Sequence, residues 1–204
     1  MEGNNAVISY NVGAVVTFGV YKWLVLSIVN KQGAEASYAF LIMEAVLPDK
    51  MPYNTERKPT TWEKCSLRAY LNEEFYNSFA KEDRAKIVET EVTNHKNPWF
   101  GTDGGGSTVE RIFLLSLLEV NEYFGDSGQL TYGNPNSKLF INDEYKSKRT
   151  AKIDGKKVQW WLRSPGIRSE AAAGVFPGGA VHVSGHYVNN NLMYVRPALK
   201  ILLR

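Results

Sequence analysis

Cysteine occurs once in the 204 residues, at Cys65, so an intramolecular disulfide is impossible and a thiolate metal site lacks its partners. Cys65 falls in an apolar-periodic segment with Trp62, Leu67 and Leu71, where a small buried hydrophobe is expected rather than a nucleophile. Histidine is nearly as scarce. His182 and His186 stand four apart, but Gly185 and the β-branched neighbours make this a strand and turn, which loses the facing geometry of a helical zinc pair. His95 sits alone in a loop. Neither a metal nor a cofactor is expected. No Gly-x-Ser-x-Gly elbow occurs, so a serine hydrolase of that type has no anchor. No run of five or more Lys/Arg appears, and the net charge is only +3, so nucleic acid is not expected as a partner. Apolar stretches are too short to span a bilayer and are broken by Gly, Lys or Glu, so no membrane insertion is expected. Residues 1–10 lack the basic region and apolar run of a signal peptide. The expectation is a chain that is cytoplasmic as synthesised and meets a virion or cell surface only through a partner.

What is present suits a globular domain. Hydrophobic residues make up 44% and charged residues 22%, and a chain of this length buries roughly 70% of its unfolded surface without staples. Residues 15–18, 21–29 and 38–47 are rich in Val, Ile, Tyr and Trp and read as strands, with a hairpin at Gly33 joining the last two. Thr60 followed by Glu63 has capping-box spacing. Leu67, Leu71, Phe75 and Phe79 then recur every four residues on one helical face. Charged residues 81–87 predict a short surface helix that buries little but Ala85 and Ile87, and residues 88–92 a brief strand. Gly104, Gly105 and Gly106 lack the Lys-Ser/Thr of a phosphate loop and read as flexible. Residues 112–115 suggest a buried strand, and Ser116 with Glu119 a second capping box for a helix over 117–124 closed by Gly125.

Residues 125–155 are polar, with turns at Gly133, Asn134 and Pro135. The basic cluster of Lys146, Lys148, Arg149, Lys152, Lys156 and Lys157 reads as a solvated loop. Strands return at 160–163, 171–175, 180–183 and 194–203. Adjacent Trp160 and Trp161 should put one ring in the core and the other on the opposite face. Arg163 and Arg196 suit a structural role, since a guanidinium satisfies several loop carbonyls at once. Glu63, Glu73, Glu74, Glu110, Glu119 and Glu122 fall at helix starts or on exposed faces, so capping and solvation account for them and no catalytic residue is assigned. Strands, then helices, then strands predict a single α+β domain over residues 1–204, with N- and C-terminal strands sharing an antiparallel sheet, two or three short helices and long irregular loops.

Four ordered blocks carry a resemblance: Thr61-Trp62-Glu63-Lys64-Cys65-Ser66-Leu67-Arg68 with Tyr70-Leu71-Asn72; Phe113-Leu114-Leu115-Ser116 with Glu119; residues 160–166; and Val195-Arg196-Pro197-Ala198-Leu199. Together they resemble an uncharacterised bacterial and phage domain family, over nearly the whole chain. That family is in turn similar to the C-type-lectin-like fold in the version shared with formylglycine-generating enzymes. The oxidase's cysteine pair and the calcium-dependent lectins' Glu-Pro-Asn or Gln-Pro-Asp motifs are missing here, so neither chemistry carries over. What the resemblance implies is a display scaffold, like the variable receptors of diversity-generating retroelements, whose variation lies before the last strand. Here that stretch offers His182, Ser184, His186, Tyr187, Asn189, Asn190, Asn191 and Tyr194, with Arg168, Ser169 and Phe176 nearby. Such side chains suit a paratope, combining rigid aromatic area with adaptable hydrogen bonding. The expected function is non-catalytic binding of a protein or glycan. The alternatives are a structural part of a phage tail or surface protein, and an enzyme on the same scaffold.

Overall fold

The computed structural model describes residues 10–30, 37–131 and 138–203; the turns assigned to Gly33 and to Gly133, Asn134 and Pro135 lie outside them. In chain order the elements are β1 (Val15–Phe18), β2 (Tyr21–Asn30), β3 (Ser37–Met43), α1 (Ser66–Tyr70), α2 (Lys81–Arg84), β4 (Thr90–Val92), β5 (Thr108–Glu110), β6 (Ile112–Phe113), α3 (Leu117–Phe124), β7 (Phe140–Ile141), α4 (Lys146–Arg149), β8 (Ala151–Ile153), β9 (Lys156–Val158), β10 (Trp160–Pro165), β11 (Ala171–Val175), β12 (Val181–Tyr187) and β13 (Ala198–Leu203). The result is a mixed, strand-rich fold with a few short helices. No helix among the described residues is long and apolar enough to cross a membrane.

The larger sheet runs β1-β2-β3-β13-β6, and every neighbouring pair is antiparallel. The last strand is therefore interior, with Ala198 opposite Ile42 on one side and Phe113 on the other. Residues 194–197 do not join the ladder as expected. Pro197 has no N–H to give, and this segment instead runs beside residues 43–51, with Met43, Leu47 and Met51 donating to the carbonyls of Pro197, Val195 and Met193 at 2.8–3.0 Å. The second sheet is β10-β11-β12-β7, and β4-β5 and β8-β9 form separate two-stranded pairs. Trp160 and Trp161 point to opposite faces of β10, yet both are wholly buried because both faces are covered. The Trp160 indole N–H donates to Arg149 O at 3.1 Å, and that of Trp161 to Met51 O at 2.8 Å.

The helical section differs instructively from its expected form. Thr60 and Glu63 make no capping box: Thr61 precedes a single 3-10 turn over Trp62–Lys64 without a side-chain cap. α1 starts later and is capped by Cys65, whose sulfur accepts from Arg68 N at 3.4 Å. The buried thiol is pushed up to about 12 by burial. Leu67, Leu71, Phe75 and Phe79 are all buried, as their spacing predicts. A strict four-residue repeat drifts by about 40° per step on an ideal α-helix; the chain takes up the drift by winding Leu71–Phe75 as a π-helix, with Tyr76 N–H bonded back to Leu71 O. The second capping box forms as expected: Ser116 Oγ accepts from Glu119 N, Glu119 Oε2 accepts from Ser116 N, and Gly125 follows α3.

Arg149 and Glu110, expected at the surface, are inside, and Arg163 takes the carbonyl-binding role expected of it. Arg149, from the basic cluster, is fully buried, ion-paired with Asp143 and donating to Gly179 O. Glu110 is neither a cap nor solvated: it is 1% exposed and accepts from Arg68 Nε at 2.5 Å, Trp62 Nε1 at 3.2 Å and Asn72 Nδ2 at 2.8 Å. Arg163 is ion-paired with Glu119 and donates to Leu114 O and Thr93 O. Within the glycine triplet Gly104 is buried and tightly packed, since a Cβ there would stand 2.4 Å from the carbonyls of Asn94 and His95, whereas Gly106 is exposed. Glu110 ties the helical section to β5 through three donors, so Glu110→Ala should lower the unfolding free energy by about 3–5 kcal/mol, the range for stripping one partner from a buried ion pair. Urea denaturation measures this, and a loss below about 1 kcal/mol would show that the network is dispensable.

Candidate functional site

β11 and β12 pair at both ends, but the residue counts between those ends differ. Gly174 faces His182 and Ala172 faces His186, so β12 carries three intervening residues against one on β11. The two extra residues form a bulge. Gly185 turns it at φ +75°, and a Cβ there would lie 2.2 Å from Ala172 O. On a regular strand side chains four apart are separated by about 13 Å. Here the rings of His182 and His186 are 4.5 Å apart, with Nδ1 of the first 3.1 Å from Nε2 of the second. The two histidines therefore do face each other, against the expectation from their strand setting.

Ser184 Oγ extends this contact, 2.9 Å from His182 Nε2. Phe176 stacks on His182 at 4.6 Å, and Trp161 meets His186 edge-on at 6.2 Å. Burial pushes His182 down to about 4, with His186 adding to the effect, and burial also lowers His186. Both rings are neutral at pH 7. Two neutral imidazoles form one N–H···N bond, whereas two imidazolium ions at this spacing have no acceptor and repel.

His186 leads from this aromatic cluster into a cleft of about 460 Å³. Ile167, Arg168, Ala171, Gly185, Tyr187, Asn189 and Asn190 complete its lining. Its backbone is anchored: Ile167 N donates to Ser184 O, Ser184 N to Leu139 O, Val188 N to Glu170 O and Asn54 N to Val188 O, all at 2.8–3.0 Å. Arg57 lies over the Tyr187 ring at 3.6 Å. The cleft therefore joins an apolar and aromatic wall to a guanidinium, two carboxamides and an imidazole. Among the described residues no carboxylate lines it, and the set suits a ligand with hydrogen-bonding groups on a partly apolar body.

Of the residues singled out from sequence, Arg168, His186, Tyr187, Asn189 and Asn190 meet in the cleft. His182 stands behind His186, and Ser184 is buried at 5% exposure. Phe176 supports the pair. Ser169 is held by its carbonyl, which accepts from Thr60 N at 3.0 Å. Asn191 is exposed outside the lining. Tyr194 sits between strands, bonded to Gln159 O and Trp161 N, with Lys50 Nζ 5.5 Å above its ring. Sequence reasoning passed over Ile167, Ala171 and Gly185, which carry no polar signal. It also missed Arg57, which lies far from Tyr187 in sequence. Among the described residues no group of three or more His, Cys, Asp or Glu could hold a metal ion.

Fold and cleft together define a strand-rich mixed domain with a side pocket built on a bulged strand. The chain belongs to the DUF6273 family, a domain of unknown function, which matches residues 36–203. No curated protein and no solved structure is similar to it.

Because both histidines are lowered in the folded state, the unfolded chain takes up protons first as pH falls. Their stability contribution is complete above pH 6.5, the ordinary value, and is lost progressively toward pH 4. Unfolding midpoints should therefore fall over that window, and His182→Gln should flatten the dependence. An unchanged pH profile in that variant would show that the pair is not the titrating unit.

Proposed function

We infer that this chain is a non-catalytic binding or display module of C-type-lectin-like fold, presenting residues of its C-terminal loops to a protein or glycan ligand. One observation carries the reading: Arg168, Tyr187, Asn189 and Asn190 converge on one cleft whose backbone is fixed by hydrogen bonds to distant segments. A rigid base under adaptable polar and aromatic side chains lowers the ordering cost of binding. Charge supports the same reading, since Arg168, two carboxamides and the neutral His186 line the cleft and, among the described residues, no carboxylate stands beside them to form an acid/base pair. The lectin-like scaffold rests on the resemblance of the four sequence blocks. It agrees with terminal strands that share one sheet.

A diversified receptor is the narrower form of this proposal, in which residues 167–194 vary between copies. A near-duplicate of their codons beside a reverse transcriptase gene supports that form, and its absence removes it while leaving binding intact.

Glycan and protein arrays probed with the full chain test the binding reading. A hit should weaken by at least about tenfold with Tyr187→Ala or Asn189→Ala, as expected for residues central to a contact. A hit that both variants retain at full strength places recognition elsewhere, and the cleft then loses its assigned role.

A further inference from the structure

The buried arginines differ in one respect. Arg149 is paired with Asp143 and Arg163 with Glu119, but among the described residues no carboxylate lies within ion-pair distance of Arg196, which is 3% exposed. Its Nε and Nη2 donate to the carbonyls of Met43 and Glu44 at 2.9 and 3.1 Å. Its plane lies 5.1 Å from the Trp160 ring. Nη1 is buried without any hydrogen-bond partner. A buried cation lacking both a counter-ion and part of its hydrogen bonding is costly.

That guanidinium lines a second pocket of about 360 Å³, separate from the β12 cleft. Val15 and Leu24, on the edge pair β1-β2, form its apolar side. Lys148 and Lys152, from the basic cluster the cleft does not use, reach it from α4 and β8. Glu44 also lines it, leaving two positive charges in excess. Burial holds Arg196 down at about 10, still protonated at neutral pH.

We propose that this pocket binds an amphiphilic organic anion, its carboxylate or phosphate headgroup among Arg196, Lys148 and Lys152 and its apolar body against Val15 and Leu24. The headgroup adds counter-charge beside Arg196, on which Glu44 acts electrostatically without forming an ion pair. The volume is that of a small-molecule site. Two exposed lysines are too few for a polyanion track.

Isothermal titration of the full chain at low salt, with octanoate and with octyl phosphate, tests this. One or both should bind with 1:1 stoichiometry, and the tighter identifies the headgroup. Lys148→Gln/Lys152→Gln should weaken binding by roughly tenfold, the sum expected for two exposed charges, and Val15→Asp should abolish it. All three positions are exposed, so the fold should survive the changes. The proposal is overturned if neither anion binds at millimolar concentration, or if n-octylamine binds equally well. Inorganic phosphate matching octyl phosphate, or lysine variants retaining full affinity, would overturn it too.

Discussion

β13 lies in the middle of the larger sheet rather than at its edge, and the remaining architecture depends on that placement. Ladder bonds on both sides tie it to β3, near the start of the chain, and to β6, halfway along. The sheet therefore cannot be completed until the last residues arrive. Closing such long loops costs entropy before any contact offsets it. The return is geometric: the segment that precedes β13 must cross from the second sheet to the first, and it does so alongside residues 43–51. The cleft is built on the chain just before that crossing. Its position follows from how the two ends close together.

Where ladders stop, buried arginines take over. Arg149, Arg163 and Arg196 each bond to carbonyl oxygens remote in sequence, at Gly179, Leu114 and Met43 respectively. This satisfies backbone groups that would otherwise be buried unpaired. Two of these arginines also find carboxylates within the chain. The third, unpaired, fixes where an external anion gains most. The β12 bulge works by a related economy, since only glycine at position 185 allows the backbone to approach Ala172 so closely, and that approach brings two distant histidines together.

Much of this was legible in the sequence where the determining physics is local. Ser116, Glu119 and Gly125 specify α3 because cap, box and stop lie within ten residues. The same spacing at Thr60 and Glu63 misleads, because a 3-10 turn intervenes and a cysteine sulfur three residues before Arg68 takes the capping role. Both terminal strands follow from apolar runs, β-branched in β1 and leucine-rich in β13. Interior charges do not, because Arg149 looks like its solvated neighbours until Asp143 and Gly179 are brought around it. Glu110 is hidden for the same reason, its three donors lying at least 38 residues away. The resemblance pointed to the C-terminal segment, and five of the residues it singled out line the cleft, but the histidine contact depends on a two-residue bulge that no periodicity signals. Arg57 comes to lie over the Tyr187 ring from a part of the chain with no such signal.

Native-state hydrogen exchange tests most directly whether the final strand is the keystone. Amides of β13 and β3 should exchange only through global unfolding, sharing one opening free energy and one denaturant dependence. If β13 instead opens alone, at a lower free energy and with β3 still protected, the C-terminal strand is an appendage and the cleft has lost its frame.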